Sequence, residues 1–101
     1  MLSRDPNVAA AYLADPLVGR GVTAALGSAL FDGMDRCAAH AGPLALPALV
    51  LHGEVDELVP PQATEGLVGV PGVERRLVEG ARHEIFNDVG WQVVLLSLIH
   101  I

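Results

Sequence analysis

Cysteine is nearly absent from this 101-residue chain: Cys37 stands alone. That excludes an internal disulfide and fits a reducing, cytoplasmic setting. Charge is scarce as well. Charged residues make up 18% of the chain, below the roughly 25% usual in globular domains. Basic residues number 6 against 12 acidic ones, for a net charge of −6. Phosphate binding needs basic clusters, so this balance argues against nucleic acid and anionic membranes as partners. Arg75 and Arg76 make no patch by themselves. The opening Met-Leu-Ser-Arg-Asp-Pro lacks the basic start and apolar middle of a signal peptide. The closing run from Val93 to Ile101 is far shorter than the roughly 20 residues that span a bilayer. No internal repeat, low-complexity tract or linker interrupts the chain, and one small domain is the upper bound.

A nucleophile motif is also missing. Ser3, Ser28 and Ser97 all lack the flanking glycines of Gly-x-Ser-x-Gly, so no strained strand–turn–helix elbow is available to expose a serine. Two partial metal patterns fail. Cys37-x-x-His40 offers two ligands on an expected helix, too few for zinc, and His83-Glu84 does not begin His-Glu-x-x-His because Asn87 holds the last position. No metal site is expected.

What the chain does have is apolar residue, at 51% with a mean hydropathy of +0.44. So apolar a composition suits a polypeptide that packs against more protein. Its organising stretch is Ala48 to Pro60. Ala48 to Leu51 is a short apolar run bounded by turn residues, the pattern of a strand buried on both faces. Gly53 breaks the run, and Asp56 follows on a tight loop closed by Pro60 and Pro61. Open α/β sheets keep their chemistry at such strand ends. A second strand is expected from Glu74 to Val78, followed by the loop Gly80-Ala81-Arg82-His83-Glu84.

Helices are expected after the Asp5-Pro6 cap as far as Asp15-Pro16, and from about Val22 to His40 with Leu26, Leu30, Met34 and Cys37 on one face. A short helix is expected from Gln62 to Val68, and a last one from Ile85 to about Leu95. The order helix, helix, strand, helix, strand, helix predicts an α/β arrangement in which the two strands are parallel neighbours. A parallel pair alone leaves a strand edge without cover.

The candidate catalytic residues are Asp56 and His83, one on each of two consecutive strand-end loops. Asp56 fits the acid that holds an imidazole, and His83 fits a general base. Taken singly, Asp56 could equally cap a turn, and His83 could be a surface histidine or cap a helix. Glu54 and Glu57 compete with Asp56, but the spacing from Gly53 favours Asp56. His52 reads as a packed or hydrogen-bonded structural histidine.

Ser3-Arg4-Asp5-Pro6, Tyr12 to Val18, Leu49 to Asp56 and Gly80 to Asn87 resemble the C-terminal third of the monoacylglycerol lipase-like and lysophospholipase-like α/β-hydrolases. The likeness runs over nearly all of positions 3 to 95. It departs at Glu79-Gly80, where the family often has Pro-Gly. The resemblance implies an α/β-hydrolase fold of which this chain carries the end of the lid (1–20) and the C-terminal part of the core (21–95), with the N-terminal part of the same fold as its missing partner. It further implies Asp56 and His83 as triad acid and base, with nucleophile and oxyanion donors upstream. The reaction implied is cofactor-free two-step hydrolysis of a monoglyceride-like acyl ester. The alternatives are another α/β-hydrolase type with an aspartate nucleophile (dehalogenase or epoxide hydrolase), or a non-catalytic interaction module that pairs its open strand edge. Residues 96–101 resemble the translation of a common sequencing adaptor and are expected to be a non-native tail.

Overall fold

The computed structural model describes residues 2–40 and 42–99. Helix α1 spans Pro6–Ala14, α2 Ala24–Ala39 and α3 Trp91–Ile99, while strands β1 (Ala48–Gly53) and β2 (Val73–Val78) flank a 3₁₀ segment at Pro61–Leu67. The element order and the parallel pairing of the strands are those expected from the sequence.

Capping chemistry explains the first two helices. The Asp5 side chain accepts the Asn7 N–H and Pro6 opens α1, where a missing N–H costs nothing. Asp15 closes α1, and its carboxylate takes the Leu17 N–H at 2.8 Å, turning the chain away. The Thr23 hydroxyl accepts the Leu26 N–H, so α2 begins at Ala24 rather than Val22.

Two other expectations need correction. The short helix after Pro61 is a 3₁₀ helix without a side-chain cap, and it covers Pro61–Leu67, one residue earlier than the expected Gln62 to Val68. The last helix does not begin at Ile85. Residues 85–90 form turns, Gly90 has φ +85°, and α3 starts at Trp91 and continues past Leu95 to Ile99. A left-handed residue cannot be carried inside a right-handed helix, so Gly90 sets the boundary. Of the expected tail, Leu96 to Ile99 therefore lie in α3, and His100 and Ile101 lie outside the described residues.

Residues pair from Ala48↔Val73 through Gly53↔Val78, so both strands end at the same level. The loops after them emerge side by side. β1 is not the doubly buried strand its apolar run suggests: Ala48 to His52 are half-buried and only Gly53 is buried. One neighbouring strand and one 3₁₀ turn cannot cover both faces. Leu17, Leu46 and Ile99 are 90%, 75% and 73% exposed. The apolar positions Leu26, Leu30 and Met34 of α2 face solvent, and no residue of α2 is buried.

A buried leucine contributes about 1.5–3 kcal/mol relative to an exposed one, and α2 has none of that support. Sixteen residues alone make a marginal helix in water. In native-state hydrogen exchange, the α2 amides are expected to exchange at least about tenfold faster than those of β1 and β2. Equal protection across α2 and the sheet would show that packing does not set local stability here.

Candidate active site

The turn after β1 is built by its backbone. Glu54 donates its N–H to Val78 O at 3.0 Å, Val55 donates to Ala81 O at 3.0 Å, and Asp56 donates to Gly53 O at 3.3 Å. These bonds fasten the β1 loop to the start of the loop after β2. Gly53 is required at the junction, because a Cβ there would collide with the carbonyl oxygens of Arg82 and Ala81. Gly80, at φ +62°, makes the reversal after β2, and its N–H is held by Glu54 Oε2 at 2.9 Å. Ala81 is then packed inside at 1% exposure. Of the two competing glutamates, Glu54 is thus committed to the neighbouring turn.

Asp56 is 6% exposed, and its two oxygens do different work. Oδ1 accepts the Leu58 and Val59 N–H groups at 2.9 and 3.0 Å, an Asx-type turn capped by the aspartate. Oδ2 lies 2.9 Å from His83 Nδ1. Both readings of Asp56, turn cap and imidazole partner, are therefore present in one side chain. Burial pushes its carboxyl pKa up, but the Val59 N–H, the His83 ring and the Leu58 N–H more than offset this, so the pKa lies below the ordinary aspartate range. An ionised carboxylate only accepts, so Nδ1 of His83 carries the hydrogen. In the neutral ring Nε2 is then the basic nitrogen. The His83 side chain is 37% exposed, open enough to reach a reactant.

His52 is held as a structural histidine, the role its position suggested. Its side chain is 9% exposed. Nε2 lies 2.8 Å from Val59 O and 3.3 Å from Asp56 Oδ2, and Nδ1 lies 3.3 Å from the Thr64 hydroxyl. A carbonyl cannot donate, so Nε2 bears a hydrogen directed between Val59 O and Asp56. Thr64 is anchored in turn by Arg75 Nε at 2.8 Å, while Arg75 Nη2 donates to Pro61 O at 2.6 Å. Arg76 pairs with Glu74 at 2.6 Å. Neither arginine of that pair is available as a basic patch. His40, at the end of α2, turns its Nδ1 to Arg36 O at 2.8 Å, and Cys37 is exposed.

Sequence reasoning missed Asp88. It is 2% exposed, yet both of its oxygens are filled, by the adjacent Val89, by Arg82 of the same loop and by Arg4 from far along the chain. Oδ1 accepts Arg4 Nε at 2.8 Å, the Arg4 N–H at 3.2 Å and the Val89 N–H at 2.6 Å; Oδ2 accepts the Arg82 N–H at 2.6 Å. Arg4 Nη2 adds a bond to Val89 O at 2.7 Å. Burial raises the Asp88 pKa, but its bonds to Arg82, Arg4 and Val89 outweigh that and hold it low. No local spacing marks this residue, because its partner Arg4 lies 84 positions away.

Two expectations follow. Gly53→Ala should destabilise the chain by about 1–3 kcal/mol, since the obstacle is backbone and cannot rotate aside; an unchanged urea midpoint would contradict the contact. Both Asp56 and Asp88 have folded pKa values depressed below the unfolded value. Their contribution is therefore fully present above the unfolded pKa and is lost as pH falls through the folded values. The urea midpoint should hold from pH 7 to 5 and drop below about pH 4. Asp88→Asn should lower the plateau and flatten that drop.

Comparison with known proteins agrees with this architecture. The family model for serine aminopeptidase, S33, matches residues 1–90. A monoacylglycerol lipase of Mycolicibacterium smegmatis is 37% identical over 98 residues, covering 93% of this chain and 35% of that protein. The crystal structure of Paleococcus ferrophilus monoacylglycerol lipase superposes with a TM-score of 0.85 at 34% identity, over 97% of this chain and 39% of that one. The chain thus spans about a third of the length of the curated relative it matches. Its two parallel strands and flanking helices are part of an α/β-hydrolase fold, and the chain belongs to the serine aminopeptidase S33 family of hydrolases.

Proposed function

We propose that this chain supplies the acid and base of a serine hydrolase that cleaves monoglyceride-like carboxylic esters, with Asp56 as the acid and His83 as the general base. One observation carries the reading: His83 Nδ1 sits 2.9 Å from a buried, ionised Asp56 oxygen that His52 Nε2 approaches only to 3.3 Å. In this reading His83 Nε2 takes the proton from an attacking hydroxyl and later returns it to the leaving alcohol. Asp56 keeps the ring in the Nδ1–H tautomer and stabilises the imidazolium between those steps. The ester class comes from the two relatives, both monoacylglycerol lipases by name.

The nucleophile and oxyanion donors belong, in this reading, to a segment of the same fold that pairs with these elements. Residues 1–20 correspond to the end of a lid, 21–95 to core, and 96–101 to a tail of foreign origin. The exposed apolar positions of α2 are the surface that segment would cover. Nucleophile, base and oxyanion donors act as a unit, so a part of the set retains little of the acceleration.

The 101-residue chain alone should therefore show no hydrolysis of a monoacylglycerol or a chromogenic acyl ester above buffer. Turnover that disappears in His83→Ala would overturn the assignment of the nucleophile to another segment. Sequencing the gene on both sides supplies the second arm. A Gly-x-Ser-x-Gly elbow supports the serine reading, and an aspartate at that elbow would replace it with the dehalogenase or epoxide hydrolase type.

A further inference from the structure

His83 is the least enclosed member of the acid–base pair, and its loop carries no regular structure between Val78 and Trp91. Something must fix the ring against Asp56. The loop is gripped on both sides of His83. On one side the Arg82 N–H is held by Asp88 Oδ2 at 2.6 Å, and on the other the Glu84 N–H is held by Leu2 O at 2.9 Å. Both grips lead to the same segment, residues 2–5. Asp88 Oδ1 takes the backbone N–H and Nε of Arg4, and the Ser3 hydroxyl donates to Asn87 O at 3.0 Å while accepting the Asp5 N–H at 2.9 Å. Ser3 is itself 2% exposed.

We propose that Asp88 is a positioning residue for His83: its carboxylate latches the loop before the imidazole to the Ser3-Arg4 segment that leads into α1. The inference rests on the acid–base reading of Asp56 and His83. Asp88 touches neither ring and has no part in proton transfer. Its role is to hold the Ala81–Arg82 peptide, and through it the backbone that leads into His83, where Nδ1 meets Asp56. A carboxylate suits the task because both of its faces accept; an amide at this position offers one oxygen and turns a donor toward either Arg82 or Arg4. The same latch makes the ring's placement depend on the entry to α1, so a displacement of residues 2–5 reaches His83 through Asp88 as well as through the Leu2 bond to Glu84.

The test is nitrogen-15 NMR of the full 101-residue chain. The unsubstituted chain should show a low-field His83 Nδ1–H proton and ring shifts of a single tautomer. In Asp88→Asn that proton should exchange with solvent at least about tenfold faster, the loss expected for one charge-assisted hydrogen bond. The ring shifts should move toward the tautomer mixture of a free imidazole, while the β1 and β2 amide shifts stay in place. An unchanged His83 ring in a folded Asp88→Asn chain overturns the positioning role and leaves the acid–base pair standing. A missing Nδ1–H signal in the unsubstituted chain overturns the pair itself. Arg4→Met serves where Asp88→Asn loses the fold. It removes two donors at a half-exposed site and keeps the Arg82 bond, and should give a smaller increase of about two- to fivefold. No change in that variant also overturns the proposal. Arg76→Ala, which breaks only the exposed pair with Glu74, should leave the His83 ring untouched.

Discussion

Two strands that begin and end at the same level decide where Asp56 and His83 stand. Because β1 and β2 are parallel and paired from Ala48↔Val73 to Gly53↔Val78, the loops that leave them share one edge. Asp56 is three residues past the end of its strand and His83 five past the end of its own. A register shift of one residue would move one loop along the edge by about 3.3 Å, more than the difference between a hydrogen bond and none. The first bonds beyond the strands, Glu54 N–H to Val78 O and Val55 N–H to Ala81 O, extend the pairing into the loops. Gly53 lets the two backbones touch where any other residue would hold them apart.

On that platform the buried carboxylates solve a common problem in two ways. A buried charge is tolerated only when its oxygens are filled with donors. Asp88 fills both of its oxygens with backbone N–H groups and one guanidinium, and so is inert chemically and useful mechanically. Asp56 fills Oδ1 with two backbone donors and leaves Oδ2 to imidazoles. His52 approaches that oxygen at 3.3 Å with its hydrogen shared with Val59 O, while His83 approaches at 2.9 Å. The closer ring dominates. Arg75 of β2 holds Thr64 of the 3₁₀ segment, which meets His52, so the orientation of the carboxylate is tied back to the sheet.

The parts of this arrangement that were legible in the sequence are those encoded within a few residues. Asp5-Pro6 and Asp15-Pro16 bracket α1, and the run through Gly53 to Asp56 announces a strand end with a carboxylate on it. His83 was legible because its loop opens with Gly80. What could not be read depends on partners distant along the chain. Asp88 has no local signature, since its donors come from Arg4 and from the backbone of Arg82 and Val89. The start of α3 was misplaced because Ile85 and Phe86 fit a helical period, while the turn over 85–90 and the left-handed Gly90 override it. The burial of β1 was overestimated for a different reason. Its residues are suited to cover on both faces, and this chain supplies one neighbour.

That shortfall bears on how the site can work. The groups that would perform proton transfer are held by short-range bonds confined to residues 2–5, 52–64 and 75–89, and none of these bonds involves α2. The Asp56–His83 pair is thus organised independently of the large apolar surface of α2. Strand pairing and hydrogen bonds fix the pair; hydrophobic burial, which dominates the stability of complete domains, is left mostly unrealised among the described residues. Added protein covering α2 would therefore raise stability without having to rebuild the Asp56–His83 geometry. Geometry of the pair and stability of the fold are carried here by separate sets of residues.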